Sequence, residues 1–434
     1  MKDVKNLIIS GFALILASTP VANLHAETIQ AAVKTMLVNH DRILAAKADL
    51  SASENRMDET FANSWMPALD VTTHYGHERR MQKAVGTDTD MESREMDLTL
   101  TQRVWDWGQA FSDMEAGRYQ KKQMVEALDL ARQTLVLDAV TSYYNLDRTK
   151  KMVEFAKKSA DNIKRQGEVE DIRVSLGKGY SADVLQVKTQ LAGAQARLVQ
   201  SKGAMLLATN HIKSVFLRPV DEIASLEVPE PQYDKMPKTV DEVVFRAVAS
   251  NPQAKQMAYM ADMLESQGDS LFKSTFFPTV NAILEYKMKD KVSGTDEFEE
   301  ETFGKLEISF PFNLGLSGVD TIRASRRDTE AASRRYRDIL LVIEEQARSA
   351  WSNLHTAREN AVLLNSQADL AEKFLELARE ERKLDKRTLL DVLNGETALI
   401  NARSDAASAE ADVKIAFYTL MQTMGALSVE LLAP

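Results

Sequence analysis

The stretch LLDVLNGETALINAR at residues 389–403 repeats much of SADVLQVKTQLAGAQ at residues 181–195. Laying the first stretch on the second at an offset of 208 residues brings identical residues together. The pairs are Asp183 with Asp391, Val184 with Val392, Leu185 with Leu393, Thr189 with Thr397, Leu191 with Leu399 and Ala194 with Ala402. Segments 39–71 and 250–282 match at an offset of 211, and 103–111 and 310–318 at 207. Because the offset stays nearly constant, the sequence predicts an internal duplication.

The first 26 residues have the pattern of a secretory signal peptide. Lys2 and Lys5 precede an apolar run from Leu7 to Ala17, and small residues lead to Ala26. That run is too short to span a bilayer, although a buried N-terminal helix is an alternative interpretation. We therefore predict an exported protein that is cleaved after Ala26.

The composition argues against several classes of function. The 434 residues include no cysteine, which removes disulfides, thiolate catalysis and lipid anchoring at a cysteine. A formal net charge of −10 argues against a nucleic-acid partner. The six histidines form no metal-binding motif, and neither HExxH nor GxSxG occurs. We therefore predict no catalytic residues, no metal and no cofactor, and hence not an enzyme.

Long helical patterns run between the repeated segments. Apolar residues from Leu340 to Ala378 recur at alternating steps of three and four, and those from Leu128 to Ile163 do the same. An average step of 3.5 residues keeps one face towards a neighbour when helices supercoil around each other. The distance from Gly108 to Gly177 along the chain predicts a helical rod on the order of 100 Å long. The sequence thus predicts a mainly α-helical protein built from coiled-coil hairpins.

Four strands are predicted where the alternation of apolar and polar residues has period two. They cover about 69–77, 96–105, 279–289 and 303–313. The residues predicted to face lipid are Val280, Leu284, Tyr286, Leu306, Ile308 and Phe310. Such strands suit a transmembrane β-barrel, and since bacterial barrels have at least eight strands, several chains must share one wall. Two hairpins packed on a soluble core are the alternative.

The predicted organisation follows from these segments. Residues 1–26 are the signal peptide, and the first repeat, 27–217, ends in a helical hairpin whose tip lies at about 176–183. A linker, 218–240, leads to the second repeat, 241–426, with its tip at about 384–390, and to a C-terminal tail, 427–434.

The duplicated helix-strand-strand-helix halves and the two DVL phrases together resemble the TolC family of outer-membrane channels. The resemblance implies a homotrimer in the outer membrane of a Gram-negative cell, with a shared twelve-stranded β-barrel and a coiled-coil α-barrel tunnel across the periplasm. It also implies two partners at the closed end of the tunnel, a membrane-fusion adaptor and an inner-membrane ABC transporter or other exporter. The channel itself would be a passive duct.

Only a second, more specific resemblance bears on the substrate. The segment ERKLDKRTLLDVLNGETALINAR at 381–403 is similar to the corresponding segment of family members that serve type I secretion of large adhesins. Small-molecule or drug efflux uses the same duct and is the alternative. A structural periplasmic coiled coil is a further rival, but it leaves the alternating strands unexplained.

Turn chemistry and the resemblance both point to the hairpin tips. Gly177 and Gly179 can adopt positive φ, and Ser181 can cap the next helix. Plain turn capping would account for these residues by itself, but the resemblance places adaptor docking here. The residues predicted to dock the adaptor are Gly177, Lys178, Gly179, Tyr180, Ser181, Val184 and Leu185 in the first tip, and Lys386, Thr388 and Leu393 in the second.

The resemblance also assigns a gate. In the family an arginine of the second tip bonds to the first tip, and aspartates of the second tip form a ring in the constriction. The motif places Arg387 at the arginine position, Asp183 as its partner and Asp391 at the first ring position. The second ring position is Asn394, and this departure weakens the carboxylate ring. The alternative is that Arg387 is a solvated charge.

Overall fold

The structure is a computed structural model that describes residues 28–82, 87–224, 230–311, 316–384 and 386–432. The predicted signal peptide lies outside the described residues, as does the end of the fourth predicted strand.

Two sets of elements follow each other in the same order. The first set is helices α1 (Ile29–Asn39) and α2 (Asp41–Trp65), strands β1 (Ala68–Gln82) and β2 (Thr87–Trp105), and helices α3 (Gln109–Ser175) and α4 (Ser181–Phe216). A short helix α5 (Val220–Ala224) follows. The second set is α6 (Val240–Ser250), α7 (Pro252–Phe276), β3 (Thr279–Asp290), β4 (Phe298–Ser309), α8 (Ser317–Lys383) and α9 (Leu389–Thr423).

The lengths of these elements confirm the duplication and the mainly helical fold. Helices α3 and α8 both have 67 residues, and α2 and α7 both have 25. Of the residues that the structure describes, 74% are helical. At 1.5 Å per residue the two longest helices each extend about 100 Å, as the spacing of Gly108 and Gly177 predicts.

The three-and-four seams bury the residues that hold the hairpins together. On α8, Ile343, Ala347 and Leu354 are 0% exposed, and on α3 Leu135 and Ala139 are 1% and 0% exposed. Helix α3 packs along α4, and α8 along α9, while α3 also contacts α9 and so joins the two hairpins. The many alanines of these seams allow the helix backbones to approach closely.

The four strands form one antiparallel sheet in the order β1-β2-β3-β4. Each strand extends beyond its predicted range at one end or both, and β1 has 15 residues, β2 has 19 and β3 has 12. Strand β4 begins at Phe298, earlier than predicted, and ends at Ser309. Hydrogen bonds between strands do not need apolar side chains, so the ladders continue through polar residues that the alternation of apolar residues did not include.

The largest hydrophobic core lies where the short elements pack on the long helices. Val33 of α1, Ile223 of α5 and Val243 of α6 are each at most 1% exposed and belong to one cluster with residues of α3, α8 and α9. The predicted C-terminal tail joins this cluster through Leu431 and Leu432 of a 3₁₀ turn. Within the described residues, no helix is both long and apolar enough to span a membrane.

Candidate functional site: the hairpin tips and the sheet face

The first tip closes α3 with a Schellman turn. Gly177 has φ +70°, and its N–H donates to Val174 O at 3.0 Å while Lys178 N–H donates to Arg173 O at 2.9 Å. This pair of bonds satisfies carbonyls that the helix end leaves free, and the positive φ favours glycine. Gly179 has a different role, because a Cβ there would lie 3.1 Å from Val174 Cγ2. Only Gly177 therefore has the predicted positive φ.

The second tip begins its return helix with a side-chain cap. Thr388 Oγ1 accepts from Asp391 N–H at 3.2 Å and donates to Asp391 Oδ2 at 2.8 Å. Lys386 N–H donates to Glu381 O at 2.9 Å and closes the end of α8. The prediction that Ser181 caps α4 is wrong. Ser181 is the first helical residue, and the cap position is Tyr180, whose side chain makes no capping bond.

The two tips expose different residues at equivalent positions. Tyr180 and Leu185 are 77% and 66% exposed, and Lys178 and Lys386 are also exposed. Leu393, the equivalent of Leu185, is 0% exposed and packs with Ile163 and Val187. The prediction that Leu393 contacts an adaptor is therefore wrong, because its side chain belongs to the core between the hairpins.

The remaining predicted tip residues divide by burial. Val184 and Gly179 are half-buried, whereas Ser181, Gly177 and Thr388 are exposed. Of the gate residues, Asp183, Arg387 and Asp391 are half-buried and Asn394 is exposed. All of these residues except Leu393 are therefore at least partly accessible at the surface of the chain.

Arg387 has a partner on its own hairpin. Its Nε donates to Glu381 Oε2 at 2.6 Å, and its guanidinium lies 5.4 Å from the ring centroid of Phe374. The Glu381 carboxylate raises the pKa of Arg387 above its ordinary value. Among the described residues, no ion pair joins Arg387 to Asp183, so the predicted pair does not form within one chain. Glu381 is only six residues away in sequence and competes for the same guanidinium.

Two other ion pairs join the helices near the tips, and the sequence pattern predicted neither of them. Glu170 of α3 accepts from Arg382 of α8 at 3.0 Å, although the Glu170 side chain is only 5% exposed. Glu396 of α9, with a side chain 3% exposed, pairs with Arg379 of α8. Extending the three-and-four rhythm of α3 beyond Ile163 by one heptad reaches Glu170, and this extension was the available signal.

These charges surround a groove between the hairpins. Its volume is about 320 Å³, and Val169, Leu389 and Val392 supply apolar walls. Its basic lining residues are Arg165, Arg173, Arg379, Arg382 and Lys383. Glu170 also lines the groove, which therefore combines an apolar wall with an excess of positive charge.

The sheet is the second candidate site, and its register gathers the apolar side chains on one face. Val280 pairs with Ile308 and Ala282 with Leu306, while Leu284 pairs with Leu100 and Tyr286 with Leu98. Leu100 and Leu98 pair in turn with Leu69 and Val71. Side chains of paired residues lie on the same face, so apolar residues of all four strands share one surface.

The opposite face of the sheet is charged. Lys305 pairs with Glu285 at 2.8 Å and Lys289 with Glu301 at 2.8 Å. Aromatic side chains cluster where the sheet meets the helices, with ring centroids of Trp105 and Trp107 6.0 Å apart. The sheet thus has one apolar face, one charged face and an aromatic border. Across the described residues, no group of histidine, aspartate and glutamate side chains could hold a metal ion.

A family model described as "Outer membrane efflux protein" matches residues 32–215 and 246–426. The chain is 22% identical over 334 residues to the outer membrane efflux protein BepC of Brucella suis, covering 77% of this chain and 72% of that protein. It is 19% identical over 424 residues to the outer membrane protein TolC of Escherichia coli, covering 93% of this chain and 83% of that protein.

Solved structures share the fold. The Campylobacter jejuni CmeC outer membrane channel aligns with a TM-score of 0.82 at 14% identity, over 92% of this chain and 86% of that one. The Vibrio cholerae outer membrane protein VceC aligns with a TM-score of 0.78 at 16% identity, over 92% of this chain and 96% of that one.

Proposed function

The chain belongs to the outer membrane efflux protein family, and from this premise we propose that it is the exit duct of a tripartite exporter, through which an inner-membrane ABC transporter sends its substrate by way of a periplasmic adaptor. The predicted resemblance to the TolC family is confirmed. The protein is an outer-membrane efflux channel of the TolC type, it is passive, and it is not an enzyme. TolC-family channels are trimeric and pair with adaptors and inner-membrane transporters.

The observation that supports this proposal is the common apolar face of the four strands, together with the helices α3 and α8, which are each about 100 Å long. A sheet with one apolar and one charged face suits a wall between lipid and water. We propose that Val280, Leu284, Tyr286, Leu306, Ile308 and Phe310 face lipid.

A trimer is proposed to close the wall. The sheet has two edge strands, β1 and β4, and three copies of four strands give a barrel of about twelve strands. Helix α8 also has an exposed heptad stripe, Leu363, Leu370 and Leu377, which continues at Leu384 directly after the helix. These four leucines are between 57% and 68% exposed. Exposed leucines at heptad spacing are typical of a helix face that another helix covers. Native mass measurement in detergent tests the trimer, and a monomer would contradict it.

The proposed substrate is a large secreted adhesin. This proposal is supported by the sequence around the second tip, 381–403, which is similar to that of family members that serve type I secretion. Small-molecule efflux is the second candidate, because the same passive duct serves both. A deletion strain separates them. Loss of a very large surface protein supports secretion, whereas sensitivity to drugs and dyes with normal surface proteins supports efflux.

The tips are proposed to dock the adaptor. Tyr180, Leu176 and Leu185 are exposed large hydrophobic side chains at the first tip, at 77%, 68% and 66%. The groove beside the second tip adds basic residues. Changing Leu185 to Asp should abolish export and leave folded trimers in the membrane, because the residue is exposed. Normal export from this variant and from a bulky replacement of Gly179 would place docking elsewhere.

The gate is proposed to lie between copies. Since Arg387 does not reach Asp183 within one chain, the latch would join Arg387 of one copy to Asp183 of the next. Asp391, repeated about the threefold axis, would form the carboxylate ring, and Asn394 would leave that ring weak. The buried pair of Glu170 and Arg382 would hold the two hairpins of one chain together while the latch opens.

A further inference from the structure

Charge is distributed unevenly over the helices that lie next to the sheet. Between Ser317 and Arg337, helix α8 has six arginines and three carboxylates. The side chains of Arg323, Arg327 and Arg334 are 74%, 81% and 68% exposed, and we call these three residues the arginine edge. The carboxylate of Glu330 is shared between Arg327 and Arg334. Arg323 pairs with Asp320 of the same helix at 3.1 Å. Three guanidinium groups therefore share two carboxylates, and this edge of α8 is positive.

Helix α2 has the opposite balance. Asp49, Glu54, Asp58 and Glu59 face one basic residue, Arg56, between 49 and 65. Glu54 pairs with Lys121 of the same chain at 3.0 Å. Asp58 and Glu59 are exposed, and in the described part of the chain no salt bridge joins either of them to a basic side chain. We call Asp58 and Glu59 the acidic edge.

These two edges are the open sides of one layer of helices. Helix α2 packs on α3, α3 on α7 and α7 on α8, so α2 and α8 are the end helices of the row. They continue into β1 and β4, which are the end strands of the sheet. In a ring built head to tail, α8 of one copy must therefore lie next to α2 of the following copy.

The charges match in height as well as in sign. Arg323 lies six residues into α8, and Asp58 and Glu59 lie seven and six residues before the end of α2. This places all three about 9 to 10.5 Å from the sheet. Arg327 and Asn55 each lie ten residues, or about 15 Å, from the same ends. Farther from the sheet, Leu341 of α8 and Leu44 of α2 are 66% and 45% exposed.

We propose that the arginine edge of α8 contacts the acidic edge of α2 in the next copy, with Arg323 level with Asp58 and Glu59, Arg327 one helical turn farther from the sheet and Leu341 covering Leu44. This inference rests on the trimer of the proposed function and names the surfaces that join it. Two arginine edges repel each other, as do two acidic edges, so the charges oppose pairing of like edges and favour a closed head-to-tail ring.

Disulfide trapping tests the contact in a chain that has no cysteine of its own. Ala52→Cys and Ala331→Cys place half-buried positions of the two edges about 20 and 21 Å from the sheet. Oxidation of this double variant should convert purified trimers to covalent trimers. Ala52→Cys with Ala324→Cys is the matched control, because Ala324 lies about 9 Å nearer the sheet than Ala52, beyond the roughly 7 Å Cα separation that a disulfide permits.

Charge reversal supplies the second test. Arg323→Asp should favour dissociation of the trimer by between roughly 3-fold and 150-fold, since three exposed pairs change together. Adding Asp58→Arg should restore the parent behaviour. Two results would overturn this inference and leave the proposed function standing. One is a double variant Ala52→Cys, Ala331→Cys that forms trimers of normal stability but no cross-link. The other is an Arg323→Asp variant whose trimers Asp58→Arg does not restore. A parent chain that is monomeric would overturn both.

Discussion

Leu185 and Leu393 occupy the same position in the two repeats, yet the first is 66% exposed and the second is 0% exposed. The reason is the placement of their helices. Helix α9 lies between α8 and α3, whereas the main partner of α4 is α3. Equivalent residues of a duplicated chain therefore have different roles, because only one copy of the hairpin has neighbours on both sides.

Truncating each leucine should expose this difference. Leu393→Ala should lower the free energy of unfolding by about 2 to 5 kcal/mol, because it removes a buried side chain and leaves a cavity. Leu185→Ala should change it by no more than about 0.5 kcal/mol. Thermal and denaturant unfolding of purified protein measures both values. Equal losses from the two variants would mean that Leu185 is also buried in the assembled protein.

At the scale of the element, helices were predicted well and their ends less well. The spacing of Leu135 and Ala139 in α3, and of Ile343 and Ala347 in α8, is set by each helix and the helix that packs along it. The sequence alone therefore predicts each seam and its length. Ser181 was assigned a cap because it precedes a helical pattern. At the offset of 208 residues, however, Tyr180 is the equivalent of Thr388, and Ser181 lies one residue inside its helix.

The two helix starts provide a matched pair of variants. Thr388→Ala should destabilise the first turn of α9 by about 0.5 to 2 kcal/mol, because the side-chain bond to Asp391 N–H is lost. Ser181→Ala should have almost no effect, since that side chain caps nothing. Hydrogen exchange of the first-turn amides of α9 and α4 reports each change locally. Faster exchange in α4 after Ser181→Ala would contradict the assignment of the caps.

The sheet shows a second limit of the sequence pattern. The alternation at Leu98, Leu100, Leu284 and Tyr286 predicted which residues share a face, because side chains alternate strictly along a strand. The polar ends of the strands could not be predicted in the same way, since polar residues on both faces give no alternation. The buried pair of Glu170 and Arg382 was missed for a related reason, because a charged residue interrupts an apolar rhythm.

At the scale of the whole molecule, neighbouring residues of β3 test which face of the sheet meets lipid. Leu284→Arg should cost about 2 to 4 kcal/mol if the residue lies near the middle of the bilayer. Ile283→Arg is the control, because it places the same charge on the opposite face, beside Lys305. Heat-modifiable migration of membrane extracts measures folding of both variants. If only the Ile283→Arg variant lost its folded form, the face with Ile283, and not the face with Leu284, would meet lipid.

The gate is also a property of the whole assembly, because one exposed ion pair is worth only about 0 to 1 kcal/mol. Three symmetric pairs of Arg387 and Asp183 that break together would separate the closed from the open state by about 3 kcal/mol, which keeps the open state near 1%. Arg387→Ser with Asp183→Ala should therefore raise the conductance of trimers in planar bilayers and lengthen their openings.

Lys383→Ser with Glu380→Ala is the control for this test, since it removes one positive and one negative charge from an exposed pair on a single helix at the same tip. Its currents should equal those of the parent. If the Arg387 and Asp183 variant also gave parent currents, closure would rest on coiled-coil packing and on the ion pairs of Glu170 and Glu396 within each chain. If both variants opened the channel, the loss of charge at the tip, and not a specific latch, would control the gate.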